Sequence, residues 1–432
     1  MNSNRDTLIL GGGLAGLGAA YHSGAPVYEC RDRVGGSADS YVKDGFVFDI
    51  GIHVLQSRIE YFHDLMTTIG VDFVDCKRNA WIYSFGRYAA YPFQVNTSHL
   101  PLLLKLRCVF GYLFRSNNVT PRNYEEWMKV NFGNGFATSF LIPYAEKFWR
   151  VSPKHMTFEW TGDRVPRPKV RDVLKGAVKD QDTGLGTNSI FQYPSRAGAG
   201  FSAVATALAA KIPLLFRNQR ATAIDPRERF VVFNGGESKV YYDYLIATLP
   251  LPVLVKLLPD VPDTITQAVA KLAWNSIAVV NVAIGRAPLS DKHWIHFPDA
   301  EISFFRISFP ENFCEGLTPP GAAAIQAEVA YDINLPPDRD KIAERVVADL
   351  KKVGVMRADD PILFTDVIYQ EYGYVVYDQY RVEAVRTIHD YFHSLGIYPC
   401  GRYGAWEYLW SDEAILSGKT AVEKVLALRA EG

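Results

Sequence analysis

The residues best suited to bind a phosphate lie near the start of the chain, in a glycine-rich turn at positions 11–16 (GGGLAG). The turn follows a short apolar run and precedes a helix-forming segment and a second apolar run that ends at Glu29. In such a unit Gly11 permits a tight turn, Gly13 lets backbone amides approach a pyrophosphate, and Gly16 lets the helix pack closely. Glu29 can accept hydrogen bonds from a ribose. The pattern therefore predicts a dinucleotide site built on a strand, a turn, a helix and a strand.

A second glycine element strengthens this prediction, because a glycine-rich turn alone is common. Four residues after Glu29 the chain reads Arg33-Val34-Gly35-Gly36-Ser37, which places a flexible glycine pair beside a cation. The two elements together resemble the two-part signature of FAD enzymes of the glutathione reductase and amine oxidase type. This resemblance implies FAD as the cofactor, with Arg33, Gly35, Gly36 and Ser37 among the residues that bind it.

Composition limits the classes of function. The chain has 432 residues, 48% of them hydrophobic, and a formal net charge of −1. Such a balance argues against nucleic acid or an anionic membrane as the main partner, although local basic patches stay open. The five cysteines form no CxxC pair, which predicts neither a disulfide framework nor a metal site and favours a reducing, cytoplasmic compartment. The apolar run 100–114 contains Lys105 and Arg107 and is too short to span a bilayer, so we expect no membrane insertion.

The order of apolar patterns predicts an α/β fold. We expect a Rossmann-like FAD-binding domain, a helical insertion without strand alternation, and an antiparallel sheet that forms a substrate lobe. Strands are predicted at 214–216, 221–224, 230–233 and 244–247, then at 276–284, 302–308, 323–331 and 363–369, with a helix at 338–352. The expected division is a discontinuous FAD-binding domain (1–90, 190–265 and 385–432), a helical uridine-binding domain (97–180) and a β-sheet domain (266–384).

Four later segments, which are spread along the chain, carry a more specific resemblance: 91–96 (YPFQVN), 160–166 (WTGDRVP), 304–308 (FFRIS) and 406–412 (WEYLWSD). Their order is similar to that of the UDP-galactopyranose mutase family, and several of them are closer to its eukaryotic-type branch. The resemblance implies an isomerase that interconverts pyranose and furanose forms of a UDP-sugar. In that family the reaction requires reduced FAD and passes through a bond between flavin N5 and the sugar; NADPH or NADH is the implied reductant.

The resemblance also assigns catalytic roles, to His53, Arg164, Arg306, Tyr374 and Tyr408. Two arginines suit the reaction because the departing UDP is an anion that guanidinium groups can hold bidentately. Arg167 and Arg171 are alternatives to Arg164 if the register slips. Tyr377 is the alternative to Tyr374, because Val375 stands where the family has a proline.

Substrate-binding roles are implied for eight residues: Tyr91, Phe93, Gln94, Phe140, Tyr144, Trp149, Asn188 and His296. Phe140 and Tyr144 are four residues apart and would share one helix face, where two rings can hold a flat base. Near the flavin, the resemblance implies roles for Gly51, Arg402 and Asp412. The implied partner is a UDP-sugar, and a homodimer is left open.

Three residues depart from the family pattern. His296 and Phe313 stand where tyrosines are expected, and Ala145 stands in place of an asparagine, which changes the hydrogen-bonding groups around the substrate. We therefore expect a sugar other than UDP-galactose to be a better substrate. The alternative function is that of an amine oxidase, protoporphyrinogen oxidase or desaturase-like oxidoreductase, because these enzymes share the same FAD motifs. A flavin-bound scaffold or redox sensor is a third, non-enzymatic alternative.

Overall fold

The computed structural model describes residues 7–116, 118–162, 164–165, 167–181, 184–185 and 189–431. In chain order its strands are β1 (Thr7–Leu10), β2 (Val27–Tyr28), β3 (Ser40–Lys43), β4 (Phe46–Asp49), β5 (Phe73–Lys77), β6 (Ala80–Ser84), β7 (Arg87–Ala90), β8 (Ile190–Pro194), β9 (Leu215–Phe216), β10 (Ala221–Asp225), β11 (Phe230–Phe233), β12 (Lys239–Tyr241), β13 (Tyr244–Ala247), β14 (Trp274–Ile284), β15 (Trp294–His296), β16 (Arg306–Ser308), β17 (Ala323–Tyr331), β18 (Ile362–Val375) and β19 (Ile397–Pro399). Its α-helices are α1 (Leu14–Ser23), α2 (Glu60–Ile69), α3 (Leu102–Leu113), α4 (Tyr124–Phe136), α5 (Ile142–Trp149), α6 (Val170–Gly176), α7 (Ala203–Ala209), α8 (Leu251–Lys256), α9 (Asp263–Ala270), α10 (Ile342–Lys352), α11 (Arg381–Ser394), α12 (Gly401–Gly404) and α13 (Ser411–Glu431).

The first sheet is parallel and has the strand order β19-β13-β1-β2-β9. Strand β1 is buried on both faces, with Ile9 in the core beneath α1 and α13 and with Leu8 and Leu10 in the core beneath α8, α9 and α11. An apolar run with no polar alternation is typical of such a doubly covered strand. The chain passes from β1 to β2 on one side and later returns to β13 on the other side of β1, so a crevice opens at the carboxyl end of β1, where ligands bind in folds of this kind.

The second sheet has seven strands in the order β18-β14-β17-β16-β15-β6-β7, and all neighbours are antiparallel except β15 and β6. Along β14, Ala278 and Val280 face a core that α10 covers, whereas Ile277 and Val279 face the opposite side and line a cavity. The alternation follows from the two-residue period of a strand. One face of this sheet is therefore a wall of the cavity.

Strands β6 and β7 belong to the segment 1–90, which we predicted as part of the FAD-binding domain. The structure pairs them with the second sheet, through β15. No local pattern in the sequence indicates which sheet a short strand joins, because periodicity reports burial and not the partner. The division of the chain into three domains stays a prediction.

The predicted helical insertion consists of α3 to α6. Helix α4 begins after Asn123, whose side chain accepts a hydrogen bond from the amide of Glu126 at 2.9 Å. The helix is interrupted at Gly133, where φ is +74° and an added Cβ would lie 1.9 Å from the carbonyl oxygen of Gly111 on α3. Only glycine allows this crossing, which brings the two helices together over a core rich in aromatic side chains.

No helix among the described residues is long and apolar enough to cross a membrane. Helix α3, which covers most of the apolar run 100–114, has 12 residues. The part of the chain that the structure describes also has no group of three or more His, Cys, Asp or Glu side chains that could hold a metal ion.

Candidate active site

A cavity of about 830 Å³ lies where the two sheets and the helical insertion meet. One end is formed by the glycine turn after β1, and the other end is formed by aromatic side chains of α5 and its approach. Residues of β14 to β17 form the wall between these ends. The cavity has the size of a small-molecule or cofactor site.

The glycine turn has the geometry that a pyrophosphate requires. Gly11 has φ +97°, and a Cβ on Gly16 would lie 1.9 Å from the carbonyl oxygen of Gly11, so neither position accepts a side chain. Helix α1 begins at Leu14, which lines the cavity, so its unpaired amino-terminal amides open onto this space. Glu29 is buried and accepts a hydrogen bond from the amide of Gly12 at 2.6 Å.

The second glycine element packs on the first. Gly35 pairs with Gly13, and a Cβ on Gly13 would lie 3.7 Å from the Cα of Gly36. Arg33 points away from the cavity and forms an ion pair with Asp39 at 2.7 Å. Near these glycines the cavity is lined by Arg31, which donates to the carbonyl oxygen of Gly36 at 3.0 Å. Arg33, which we predicted to bind the cofactor, does not line the cavity, whereas Arg31 does.

His53 lies deep in the cavity, two residues after Gly51, whose φ is +80°. The carbonyl oxygen of Gly51 accepts a hydrogen bond from Nδ1 of His53 at 3.1 Å. Burial, with a smaller effect of Arg402 and Arg306, lowers the pKa of His53 to about 4. The ring is therefore neutral at neutral pH, and since Nδ1 carries the proton, Nε2 can accept a hydrogen bond.

Arg306 and Glu328 form a bidentate ion pair on the cavity wall, directly across from each other on β16 and β17. The Arg306 Nη2 to Glu328 Oε1 distance is 2.9 Å. Both side chains are largely buried, at 17% and 3% exposure. Burial alone would lower the pKa of Arg306, but the Glu328 carboxylate more than offsets this and raises it well above its ordinary value. The wall thus contains a buried guanidinium whose charge is partly compensated.

At the far end of the cavity four aromatic rings stack in a ladder: Phe93, Phe140, Tyr144 and Phe148. The successive ring centroids are 4.7, 5.7 and 6.1 Å apart, and the interplanar angles are 21°, 12° and 21°. The last three rings follow one another at four-residue intervals on one helix face. Because these rings already contact one another, a flat ligand must lie against the open side of the ladder. Gln94, which is buried and lines the cavity, can supply hydrogen bonds there.

His296 connects the ladder to the arginines. Its Nδ1 lies 2.8 Å from the hydroxyl of Tyr144, and its ring centroid lies 5.6 Å from that of Tyr91. Burial, followed by the cations of Arg306 and Arg78, lowers the pKa of His296 to about 3. The imidazole is therefore neutral and offers one nitrogen as donor and the other as acceptor.

Arg164 lies at the cavity wall beside the loop that precedes α13. Its guanidinium carbon is 5.2 Å from the ring centroids of both Tyr408 and Trp410. It donates to the carbonyl oxygens of Trp160 at 3.0 Å and Tyr408 at 3.2 Å, and it lies 3.6 Å from the carboxylate of Glu413. Its Nε is buried and has no hydrogen-bond partner within the described chain, so one charged donor is left for a ligand.

Arg402 contacts two tyrosines of the same region. Its guanidinium carbon lies 4.7 Å from the ring centroid of Tyr374 and 4.9 Å from that of Tyr408. Two of its nitrogens, Nε and Nη2, are buried and unpartnered among the described residues. Trp149 closes the cluster, with its ring 6.0 Å from Tyr374. Burial raises the pKa of Tyr374, so its hydroxyl stays protonated at neutral pH.

The structure thus brings most predicted site residues into one cavity, but not all of them. Gly16 packs within the turn, Phe93 supports the ladder from below, Arg33 faces Asp39, and Asp412 is buried at the start of α13 without lining the cavity. Asn188 lies outside the described residues.

The alternative residues are also placed by the structure. Tyr374 lines the cavity, whereas the hydroxyl of Tyr377 accepts a hydrogen bond from the amide of Tyr408. Arg167 and Arg171 are exposed, and neither lines the cavity. Phe313 packs between Trp294 and Tyr193 in the core that contains Ile9 and does not itself line the cavity.

Several cavity residues were missed by sequence reasoning: Arg31, Arg78, Phe148, Glu328 and Trp410. For Glu328 a signal was present, because it is a carboxylate in the middle of the otherwise uncharged strand β17 and an unpaired charge is rarely buried. Phe148 continues the four-residue spacing of Phe140 and Tyr144 and could have been added to them. No local pattern distinguished Arg31 from Arg33.

Comparisons with known proteins agree with this geometry. The family of flavin-containing amine oxidoreductases matches residues 15–426. A crystal structure of reduced UDP-galactopyranose mutase has a TM-score of 0.92 and 28% identity, covering 98% of this chain and 94% of that chain. A putative protoporphyrinogen oxidase from Exiguobacterium sp. 255-15 (TM-score 0.76, 19% identity, 98% and 99% covered) and a redesigned putrescine oxidase (0.68, 16%, 98% and 99%) share the fold.

The residues present fit the cofactor of this family. The cradle of Gly11, Gly13 and Gly36 leaves no side chain between the backbone and a pyrophosphate, and the amino-terminal end of α1 favours its negative charge. Farther along the cavity from this cradle, Arg402 has two buried N–H donors without a partner in the described chain. FAD is the cofactor, and the chain belongs to the family of flavin-containing amine oxidoreductases.

Proposed function

We propose that this protein interconverts the pyranose and furanose forms of a UDP-linked sugar, UDP-galactose or a related one, with its FAD in the reduced state. The observation that carries the proposal is the continuous cavity, which joins the glycine cradle to an aromatic ladder through a wall that contains Arg164 and Arg306. The similarity to UDP-galactopyranose mutase, at 28% identity over 98% of the chain, supports it. The oxidases, at 19% identity or less, support only the shared fold.

The part of the cavity next to the glycine cradle would bind FAD mainly through backbone groups of the protein. The glycine cradle and the amino-terminal end of α1 would bind the pyrophosphate, and Glu29 the ribose of the adenosine. Gly51, His53 and Arg402 would lie near the ring system. When bound and reduced, the flavin supplies a nucleophile for the anomeric carbon, so no side chain needs to act as one.

The uridine would bind at the aromatic ladder. One face of the base would lie against the open side of Phe140 and Tyr144, and Gln94 would pair with its polar edge. Tyr91 and His296 close this region on the side of the sheet. Contact with the open side of the ladder does not distinguish one base from another, so the preference for uracil would come from the Gln94 amide.

The diphosphate would lie between Arg164 and Arg306. The buried Nε of Arg164 provides a charged donor, and a guanidinium carries more N–H groups than Glu328 can accept from Arg306. Each arginine can therefore hold phosphate oxygens while the bond between UDP and the sugar is broken and remade. The hydroxyl groups of Tyr374 and Tyr408 are further donors on the same side of the cavity.

The sugar would lie between the diphosphate and His53. Because His53 is neutral with its proton on Nδ1, its Nε2 can orient a donor on the ligand or accept a proton from it. Two of the three departures from the family pattern, His296 and Ala145, line the cavity. They support the expectation that a UDP-sugar other than UDP-galactose is the better substrate.

The decisive experiment is an anaerobic incubation of dithionite-reduced protein with a series of UDP-hexoses and UDP-pentoses, followed by chromatographic separation of the products. We expect conversion of at least one UDP-pyranose to its furanose, and no conversion when the flavin is oxidised. Binding of UDP, GDP and ADP measured by calorimetry tests the base site, where UDP should bind most tightly. If no UDP-sugar is converted, and oxidised protein consumes oxygen with an amine or a polyene, the oxidase or desaturase function replaces the mutase.

Three finer assignments belong to the same proposal. The segment 160–166 supports a place nearer the eukaryotic-type branch of the mutases, and NADPH or NADH is the proposed reductant. Anaerobic mixing with each nucleotide tests the reductant, because reduction bleaches the flavin absorbance. The cytoplasmic location and the oligomeric state stay predictions.

A further inference from the structure

The helical insertion exposes an apolar stripe along α3. The stripe consists of exposed residues on the helix and just after it: Leu102, Leu103, Leu106, Phe110, Leu113 and Phe114. Leu103 and Phe114 are each 82% exposed. At about 100° per residue, the stripe covers ~120° of the helix circumference, on the side away from Cys108 and Tyr112, which are buried in the core. An isolated exposed leucine is ordinary on a protein surface, but a contiguous stripe of this kind marks an interaction surface.

Helix α6 extends this surface. It packs against α3, and the hydroxyl of Tyr112 donates to the carbonyl oxygen of Pro168 just before α6. Val173 of α6 is buried in the same core cluster as Cys108 and Tyr112, so the exposed sides of both helices lie on the outside of the insertion. On that outside Val170, Leu174 and Val178 follow one another at four-residue intervals. We call the exposed side chains of residues 102–114 and 167–179 the docking face.

The docking face is also strongly basic. Residues 100–116 and 167–181 contain eight lysines and arginines but only two acids, Asp172 and Asp180. Both acids are partly buried and paired, Asp172 with Arg171 at 3.4 Å and Asp180 with His99 at 2.6 Å. Six exposed cations lie among the exposed apolar residues: Arg107, Arg167, Lys169, Arg171, Lys175 and Lys179. In a chain with a net charge of −1, this is a local concentration of positive charge.

We propose that the docking face binds reversibly to a membrane surface that contains anionic lipids. Apolar side chains flanked by Lys and Arg are the composition of helices that lie in the plane of the bilayer interface, with the cations at the headgroups. The 12 residues of α3 are too few to span a bilayer, so the contact is peripheral. A second copy of the chain is a poorer partner, because a twofold interface would place this basic face against itself.

The proposal is independent of the mutase activity, because no residue of the docking face lines the active-site cavity. FAD content and turnover in solution therefore serve as controls for folding. Substitution of exposed side chains on this face is not expected to change either of them, since surface changes away from buried features have small effects on stability.

The test is flotation of the FAD-loaded protein with vesicles of phosphatidylcholine alone and of phosphatidylcholine with an equal amount of phosphatidylglycerol. We expect binding to the anionic vesicles only, and release as salt is raised. Leu103→Gln with Phe114→Gln should abolish binding. Arg171→Gln, Lys175→Gln and Lys179→Gln together should weaken it on the order of 100-fold. The matched control is Leu335→Gln with Val382→Gln, at residues that are 75% and 71% exposed elsewhere, and it should bind like the unaltered protein.

Three results would overturn the proposal. The first is that the unaltered protein floats with neither kind of vesicle. The second is that the Leu103 and Phe114 double variant or the triple charge variant still binds like the unaltered protein. The third comes from sedimentation equilibrium: if the protein is an oligomer that Leu103→Gln with Phe114→Gln dissociates, and no vesicle is bound, the face joins copies of the chain instead.

Discussion

Replacing Glu328 by Gln is expected to lower the stability of the protein while tightening its binding of UDP. Glu328 and Arg306 are the two members of a buried, bidentate pair on the cavity wall. The substitution keeps the shape of the side chain but removes its charge. The guanidinium is then buried without a counter-ion, and the diphosphate of a ligand no longer faces a carboxylate.

The two effects can be estimated separately. Removing one partner of a buried ion pair costs about 3 to 5 kcal/mol, and we expect about 3 kcal/mol because the Gln amide oxygen still accepts one hydrogen bond. Two unit charges about 10 Å apart repel by about 1.7 kcal/mol at an effective dielectric constant of about 20. On that basis Glu328→Gln should bind UDP about 20-fold more tightly. Arg306→Met should lose about 1.5 to 3 kcal/mol of UDP binding and also be unstable, because it leaves the carboxylate buried alone.

The assay is a double-mutant cycle on Glu328→Gln, Arg306→Met and the double variant. Urea unfolding at saturating FAD is monitored by tryptophan fluorescence and by circular dichroism. If the unfolding curves from the two signals coincide, they give the free energy of unfolding of each variant. Calorimetric titration gives the affinity for UDP. The double variant should be more stable than the sum of the two single losses implies, because it removes both buried charges together.

Two outcomes would refute this reasoning. If the double variant loses the sum of the single losses within about 0.5 kcal/mol, the two side chains are not coupled. If Glu328→Gln weakens UDP binding as much as Arg306→Met does, Glu328 acts by positioning Arg306 and its charge does not oppose the ligand.

Further predictions follow from other parts of the cavity. His53 and His296 are buried and neutral, with their pKa lowered from 6.5 to about 4 and about 3. As the pH falls below about 6.5, these histidines take up protons in the unfolded chain but not in the folded protein. The free energy of unfolding should therefore fall as pH drops from about 6.5 to 4. Urea midpoints against pH should show this fall, and His53→Gln should flatten it. Gly13→Val should abolish FAD binding, measured as the ratio of flavin to protein absorbance, because its side chain would fill the cradle against Gly36. Arg164→Ala should weaken UDP binding by about 1.5 to 3 kcal/mol, whereas the exposed Arg171→Ala should leave it unchanged in the same titration.

Sequence patterns predicted several elements with their observed bounds. Strands β11, β13 and β17 begin and end where the apolar runs do, because turn-forming or charged residues flank them. The strand predicted at 302–308 is only Arg306–Ser308, since the amide of Ile302 bonds to the carbonyl of Asp299 in a turn. The strand predicted at 363–369 extends to Val375, where Gly373 fits against Asn275. Local patterns thus predicted the presence of a strand more reliably than the residues at which it begins and ends.

The residues of the site also fall into those that the sequence could predict and those that it could not. The glycine cradle and Glu29 could be predicted because neighbours in the chain make them: a strand, a turn and a helix bring their own residues together. The residues of the sugar and diphosphate region came from a family resemblance and not from spacing. Their mutual contacts, such as the hydrogen bond between Tyr144 and His296, join residues 152 positions apart, and no local pattern contains them.

The amino-acid sequence by itself determined that this chain binds a dinucleotide cofactor on a strand-turn-helix unit, because the conformations and close approaches involved are properties of glycines near one another in the chain. Only the tertiary structure decided which charges meet in the cavity. The register of β16 on β17 pairs Arg306 with Glu328, and the course of the chain after β2 brings Arg31, not Arg33, to the cavity. The pairing of Arg306 with Glu328 depends on how distant segments pack, and because both charges are buried, the loss of either partner is costly.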